Sequence, residues 1–121
     1  MATILIVEDT PLYQRGYQRE LAEHTLIIAG TSAVARAEFA RMQHTIDIII
    51  LDGELASMDP ERDTVDMASD FRAAGFTGPM IAASSNPYIM NQLMEKNRCS
   101  HRASPKSDVQ DLVNQILENR P

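Results

Sequence analysis

The feature that most constrains this chain is an alternation of short, nearly unbroken apolar runs with longer segments whose apolar residues recur at helical spacing. Ile4-Leu5-Ile6-Val7, Leu26-Ile27-Ile28-Ala29, residues 46–51 and Met80-Ile81-Ala82-Ala83 carry no polar face. Strands of that kind are buried on both sides, which requires a parallel sheet covered by crossover helices above and below. A fifth strand, weaker because it lacks β-branched and aromatic residues, is expected over residues 102–104. Five strand-helix pairs with right-handed crossovers imply a five-stranded parallel sheet in the order 2-1-3-4-5.

The helices announce their starts. Thr10-Pro11 and Asn86-Pro87 each place a capping side chain before a proline, which suits the first helical position because an N–H there has no intrahelical partner. The first helix should reach about Glu23. Ser32 is expected to cap a second helix with Ala35, Phe39 and Met42 on one face, and a third carries Val65, Ala68 and Phe71 and stops near Gly75. Ile89, Leu93 and Met94 mark the fourth. The fifth is predicted from a capping box of Ser107 and Gln110 and from the stripe of Val109, Leu112, Val113, Ile116 and Leu117. Between Asp52 and Asp63 lies a long acidic connection, expected to be mobile. Met58, Met67, Met80, Met90 and Met94 read as core filling, and Tyr13, Tyr17 and Tyr88 as rings covering apolar surface with their hydroxyls in water.

With 121 residues there is room for one domain with this flavodoxin-like (βα)5 topology. A formal charge of −6 argues against direct nucleic-acid binding and against anionic lipid. No apolar run is long enough for membrane insertion, and the lone Cys99 allows no internal disulfide, so a cytoplasmic setting is expected. His24, His44 and His101 share no zinc-ligand spacing.

In open α/β sheets the site lies beyond the carboxyl ends of the strands, where strand order reverses. Glu8 and Asp9 follow the first strand, Asp52 the third and Ser84 the fourth, and Lys106 lies just past the fifth. Clustered carboxylates repel unless a cation neutralises them. Magnesium prefers oxygen ligands and commonly takes one or two carboxylates plus a phosphate, so the pattern suggests Mg2+ and phosphoryl chemistry.

This arrangement resembles the receiver domain of bacterial response regulators, of the stand-alone chemotaxis type, and the resemblance runs from Ile4 to Leu117. Ile4-Leu5-Ile6-Val7-Glu8-Asp9 is similar to the family's first strand with its acidic pair. Ile48-Ile49-Ile50-Leu51-Asp52 is similar to the strand ending in the phosphoacceptor, and Pro79-Met80-Ile81-Ala82-Ala83-Ser84 to the strand ending in the switch hydroxyl. The resemblance implies a two-component or phosphorelay module phosphorylated on Asp52 by a histidine kinase or histidine phosphotransfer protein. It implies a metal site of Asp9, Asp52, the Glu54 backbone carbonyl and, through water, Glu8. Ser84 and Lys106 would bind the phosphoryl oxygens. Such a module is not an enzyme in the ordinary sense, although it would catalyse its own phosphorylation and dephosphorylation. It would act through a downstream protein or onward phosphotransfer, as a monomer or a phosphorylation-dependent homodimer.

Three features depart from the family pattern. Pro105-Lys106 reverses the usual Lys-Pro order, Arg102 or Ala103 stands where a switch aromatic is usual, and the connection after Asp52 is long and acidic. These motivate an alternative, a degenerate receiver used as a phosphorylation-independent binding or dimerisation module. A phosphatase of the haloacid dehalogenase type is disfavoured, since Glu8-Asp9-Thr10 lacks the aspartate pair that should follow its first strand.

Overall fold

A computed structural model describes residues 1–119. Strands β1 (Thr3–Val7), β2 (Thr25–Ala29), β3 (Ile48–Asp52), β4 (Met80–Ala83) and β5 (His101–Ala103) form one sheet in the order β2-β1-β3-β4-β5. Every pairing is parallel. Helices α1 (Pro11–Glu20), α2 (Ser32–Met42), α3 (Val65–Ala73), α4 (Pro87–Met94) and α5 (Val109–Glu118) connect and follow them.

Because side chains alternate across a strand, the apolar runs feed two cores. Ile4, Ile6, Ile48, Ile50 and Ile81 pack with Tyr17 and Leu21 of the α1 region and with Val109 and Val113 of α5. Leu5, Val7, Ile49 and Leu51 face α2, α3 and α4 through Ala35, Phe39, Phe71 and Leu93. Phe39 stacks on Phe71 with ring centroids 4.1 Å apart. The stripe on α5 meets the core as its periodicity requires: Val109 and Val113 are buried and Leu112, Ile116 and Leu117 pack against them. Among the described residues no helix is long and apolar enough to cross a membrane.

Several local expectations are corrected. Helix α1 stops at Glu20 rather than Glu23: the N–H of buried Leu21 makes the last helical bond, to the Tyr17 carbonyl at 2.8 Å, and the backbone leaves helical geometry at Leu21 itself, with φ −114° and ψ 28°. The second helix is capped by Thr31, which accepts from the Val34 N–H, while Ser32 is already helical and engages Asp59. Strand β3 starts at Ile48 and strand β5 at His101, two residues later and one earlier than expected. Ser107 and Gln110 form no capping box; the chain enters α5 through a single 3-10 turn, Lys106–Asp108, with no side-chain cap, and the Gln110 amide donates to the Glu20 carbonyl instead.

The connection after Asp52 is tied down rather than loose. Leu55 is buried, its N–H donates to the Arg62 carbonyl at 2.7 Å, and Glu54 bridges Asp63. Asp59 accepts from the Ser32 N–H at 2.8 Å, and Glu61 takes both Nε and Nη2 of Arg36, at 2.7 and 2.6 Å. At the apex of this connection Met58 is 91% exposed, so it is no part of the core; Met67, Met80 and Met90 are buried as expected. Tyr17 likewise departs from a wet-hydroxyl role, being 4% exposed with its hydroxyl unpaired among the described residues.

Candidate functional site

The parallel register decides which residues gather at the carboxyl edge. Val7 pairs with Leu51 and Asp52 with Ala83, so Glu8, Asp52 and Ser84 emerge side by side. The Glu8 N–H donates to the Ala29 carbonyl at 3.0 Å, carrying the ladder one residue beyond β1. This buries the Glu8 carboxylate completely, while Asp52 and Ser84 are 7% and 5% exposed. One carboxylate oxygen from each of Glu8, Asp9 and Asp52 lies within 4.8 Å of the others.

A cation answers two of these acids. The Lys106 ammonium is 3.0 Å from Glu8 Oε1 and 3.2 Å from Asp52 Oδ1. The Ser104–Pro105 peptide before it is cis, and with the Pro-Lys order inverted the lysine still stands at the acidic rim. The half-buried Asp9 carboxylate has no hydrogen-bond or ion-pair partner among the described residues, which leaves an oxygen donor open at the edge of the cluster. Burial, and after it the charge of Glu8, pushes the Asp52 carboxyl up to about 8 against the opposing pull of Lys106. Burial alone lowers the Lys106 ammonium, but Asp52 and then Glu8 outweigh it and hold the group above its ordinary value. Three oxygen donors with an unmet negative charge fit a hard divalent cation such as magnesium.

The surrounding contacts fix Asp52 from behind. Thr64, fully buried, donates its hydroxyl to the Asp52 carbonyl at 2.8 Å, and its N–H meets the Gly53 carbonyl at 3.3 Å. Gly53 packs so tightly on β4 that a Cβ there would lie 2.5 Å from Ser84 Oγ. The Ser84 hydroxyl accepts from the Asn86 N–H at 3.1 Å. Glu54 does not point inward alone: its carboxylate accepts from the Asn86 side-chain amide at 3.0 Å, while its N–H lies 3.4 Å from Asp52 Oδ1.

Glu8, Asp9, Asp52, Ser84 and Lys106 thus converge as their positions in the sequence suggest. Thr64, Tyr13 and Tyr17 were not singled out for the site. Tyr13 lies with its ring centroid 4.2 Å from the Lys106 ammonium. Burial, then Glu8 and Asp52, raises the Tyr17 phenol well above its ordinary value, which places this ring within reach of the cluster's field. The spacing of Tyr13 and Tyr17, one helical turn apart and following Glu8-Asp9, was the available signal.

No family model matches the chain, and no curated protein matches its sequence. Solved structures do. A response regulator receiver domain protein from Clostridium thermocellum is 14% identical with a TM-score of 0.80, over 98% of this chain and 95% of that one. A two-component response regulator from Clostridium difficile is 15% identical with a TM-score of 0.80, over 98% of each chain. The response regulator TrrA from Thermotoga maritima, in complex with Mg(2+)-BeF, is 18% identical with a TM-score of 0.76, over 96% of this chain and 99% of that one. The chain therefore shares its whole architecture with receiver domains.

Proposed function

We propose that this chain, built on the receiver fold, is a phosphoacceptor signalling module that takes a phosphoryl group on Asp52 from a phosphohistidine of a partner kinase or phosphotransfer protein. The observation that carries this reading is the convergence of the Glu8, Asp9 and Asp52 carboxylates within 4.8 Å, with the Lys106 ammonium 3.2 Å from Asp52. An acidic pocket that also holds one fixed cation is arranged for charge that arrives, since transfer of a phosphoryl group demands positioning and neutralisation more than covalent help from the protein.

In this reading an Asp52 carboxylate oxygen attacks phosphorus in line with the bond to the donor nitrogen. The new O–P bond forms as the P–N bond breaks, and the electron pair stays on the imidazole, which remains on the partner. Asp9 and Asp52, the Glu54 carbonyl and, through water, Glu8 would hold magnesium, whose charge would screen the incoming oxygens and favour the ionised form of Asp52. Lys106 offers N–H donors to the same oxygens and Ser84 a hydroxyl from the β4 side. Thr64 keeps the Asp52 main chain from yielding as charge accumulates. A receiver neighbour in complex with Mg(2+)-BeF supports magnesium as the metal in this reading.

The test is mass spectrometry after incubation with acetyl phosphate, with and without magnesium, beside an Asp52→Asn variant. A magnesium-dependent gain of one phosphoryl group, absent from the variant, is expected. No gain, together with no magnesium binding, would turn the reading to a degenerate receiver that works by binding alone.

A further inference from the structure

Lys106 poses a positioning problem. Its backbone lies outside the sheet, opening the short 3-10 turn after β5. A lysine side chain left there must lose its rotamer freedom before its ammonium is held in one place. Its two ionic partners, Glu8 and Asp52, are also the carboxylates that the proposed metal would engage. A third contact is independent of that competition: the Tyr13 ring, 4.2 Å from the ammonium.

We infer that Tyr13 is a positioning residue, holding the Lys106 ammonium at the acidic cluster by its ring face; this rests on the phosphoacceptor reading of the same site. Pro11 fixes the first turn of α1, so Tyr13 is set two residues into a helix whose next turn is anchored by buried Tyr17. The ring forms part of the wall of a cavity of about 220 Å³ between α1 and the turn before α5, with Tyr17, Lys106 and Ser107 beside it. A ring 44% exposed covers little core, so apolar burial is a weak account of its position. An aromatic face beside an ammonium attracts it through the ring quadrupole, and the attraction strengthens where water is partly excluded. The lysine side chain is 15% exposed. When Glu8 and Asp52 turn to a metal or to phosphoryl oxygens, the ring still fixes the direction from which Lys106 donates.

The experiment compares Tyr13→Phe and Tyr13→Leu by magnesium-dependent labelling with acetyl phosphate, each also in a Lys106→Met background, and follows the Lys106 ε-methylene protons by NMR. Tyr13→Leu should label roughly 3-fold to 30-fold more slowly, with Tyr13→Phe restoring most of the rate and neither change mattering once Lys106 is Met. The ε-methylene resonances, shielded by the ring, should move toward those of free lysine in Tyr13→Leu and stay in Tyr13→Phe. If Tyr13→Leu labels at the unsubstituted rate, or slows as much without Lys106 as with it, the inference is overturned. If the unsubstituted protein takes no phosphoryl group, the phosphoacceptor reading fails, and the NMR shifts alone then decide whether Tyr13 holds Lys106.

Discussion

The Asn86 side-chain amide and the Glu54 carboxylate meet at 3.0 Å across the mouth of the site, joining the connection after β3 to the first turn of α4. The same Asn86 side chain caps α4 through its oxygen, accepting from the Tyr88 and Ile89 N–H groups at 2.9 and 3.3 Å. The two roles separate chemically. Asn86→Asp keeps a capping oxygen but sets a carboxylate against Glu54, whereas Asn86→Ala removes both. We expect Asn86→Ala to lose about 1 kcal/mol in urea denaturation and Asn86→Asp to lose less. Both should speed amide exchange at residues 54–56. Unchanged exchange in both variants would mean that this strap does not restrain the connection.

Gly53 and Gly16 should respond to alanine in opposite directions. A Cβ at Gly53 would stand 2.5 Å from Ser84 Oγ and 2.6 Å from Ser84 Cβ, and the latter is fixed to the sheet, so the β3 and β4 ends must part. Gly53→Ala is expected to cost about 1 to 3 kcal/mol, the range for forced overpacking. At Gly16, within α1, nothing lies within 4 Å, and Gly16→Ala should stabilise by about 0.5 to 1 kcal/mol through helix propensity. Chemical denaturation of the pair checks both signs.

The clasp between α2 and the acidic connection should weaken in acid. Hydrogen bonds from Ser32 hold the Asp59 carboxyl below its ordinary value, and the hydrogen bond from Arg36 does the same for Glu61. The native state therefore binds these protons less tightly than the unfolded chain. Their stabilising contribution is complete above the unfolded carboxyl range, near about pH 4, and disappears as pH falls through the lower native values. A doubly substituted protein, Asp59→Asn with Glu61→Gln, should lose less stability than the unsubstituted one between about pH 5 and about pH 3. Parallel pH slopes in urea titrations would contradict this.

Cys99 should be inert in the folded protein. It is 6% exposed, and burial pushes its thiol up to about 12 despite the opposing charges of Arg72 and Arg98. Because the thiolate is the reactive form, a disulfide reagent at neutral pH should modify it only as fast as the protein opens, and at once in denaturant. Fast native modification would show that β5 and the end of α4 separate readily.

The strands were legible because burial on both faces leaves a continuous apolar run, and β4 matches its expected residues, Met80–Ala83. Strand β5 was displaced by one residue, since His101 and Arg102 give no apolar signal and the strand is held by its pairing with β4. Glu8, Asp9, Asp52, Ser84 and Lys106 were legible as a group because the topology sends each strand end to one rim. What escaped depends on tertiary partners. Thr64 reads locally as a residue before a helix, yet its hydroxyl serves a carbonyl 12 positions earlier. Ser32 has the chemistry of a cap, but the chain places Thr31 there and turns Ser32 to Asp59. Ser107 shows that a matching local pattern is insufficient when the backbone enters its helix through a tighter turn.

The Lys106–Glu8 ion pair joins positions 98 residues apart. Closing so long a loop carries an entropic cost, since the freedom lost in bringing its ends together must be offset by the other contacts that dock β5. A chain in which β1 and β3 have paired but β5 has not docked holds its acids without their ammonium. Such a species carries the Asp52 carboxylate but not the ammonium that stands beside it in the complete fold. Coupling the two ends of the chain at one rim thereby makes the balance of charge there a property of the finished fold, not of any segment of it.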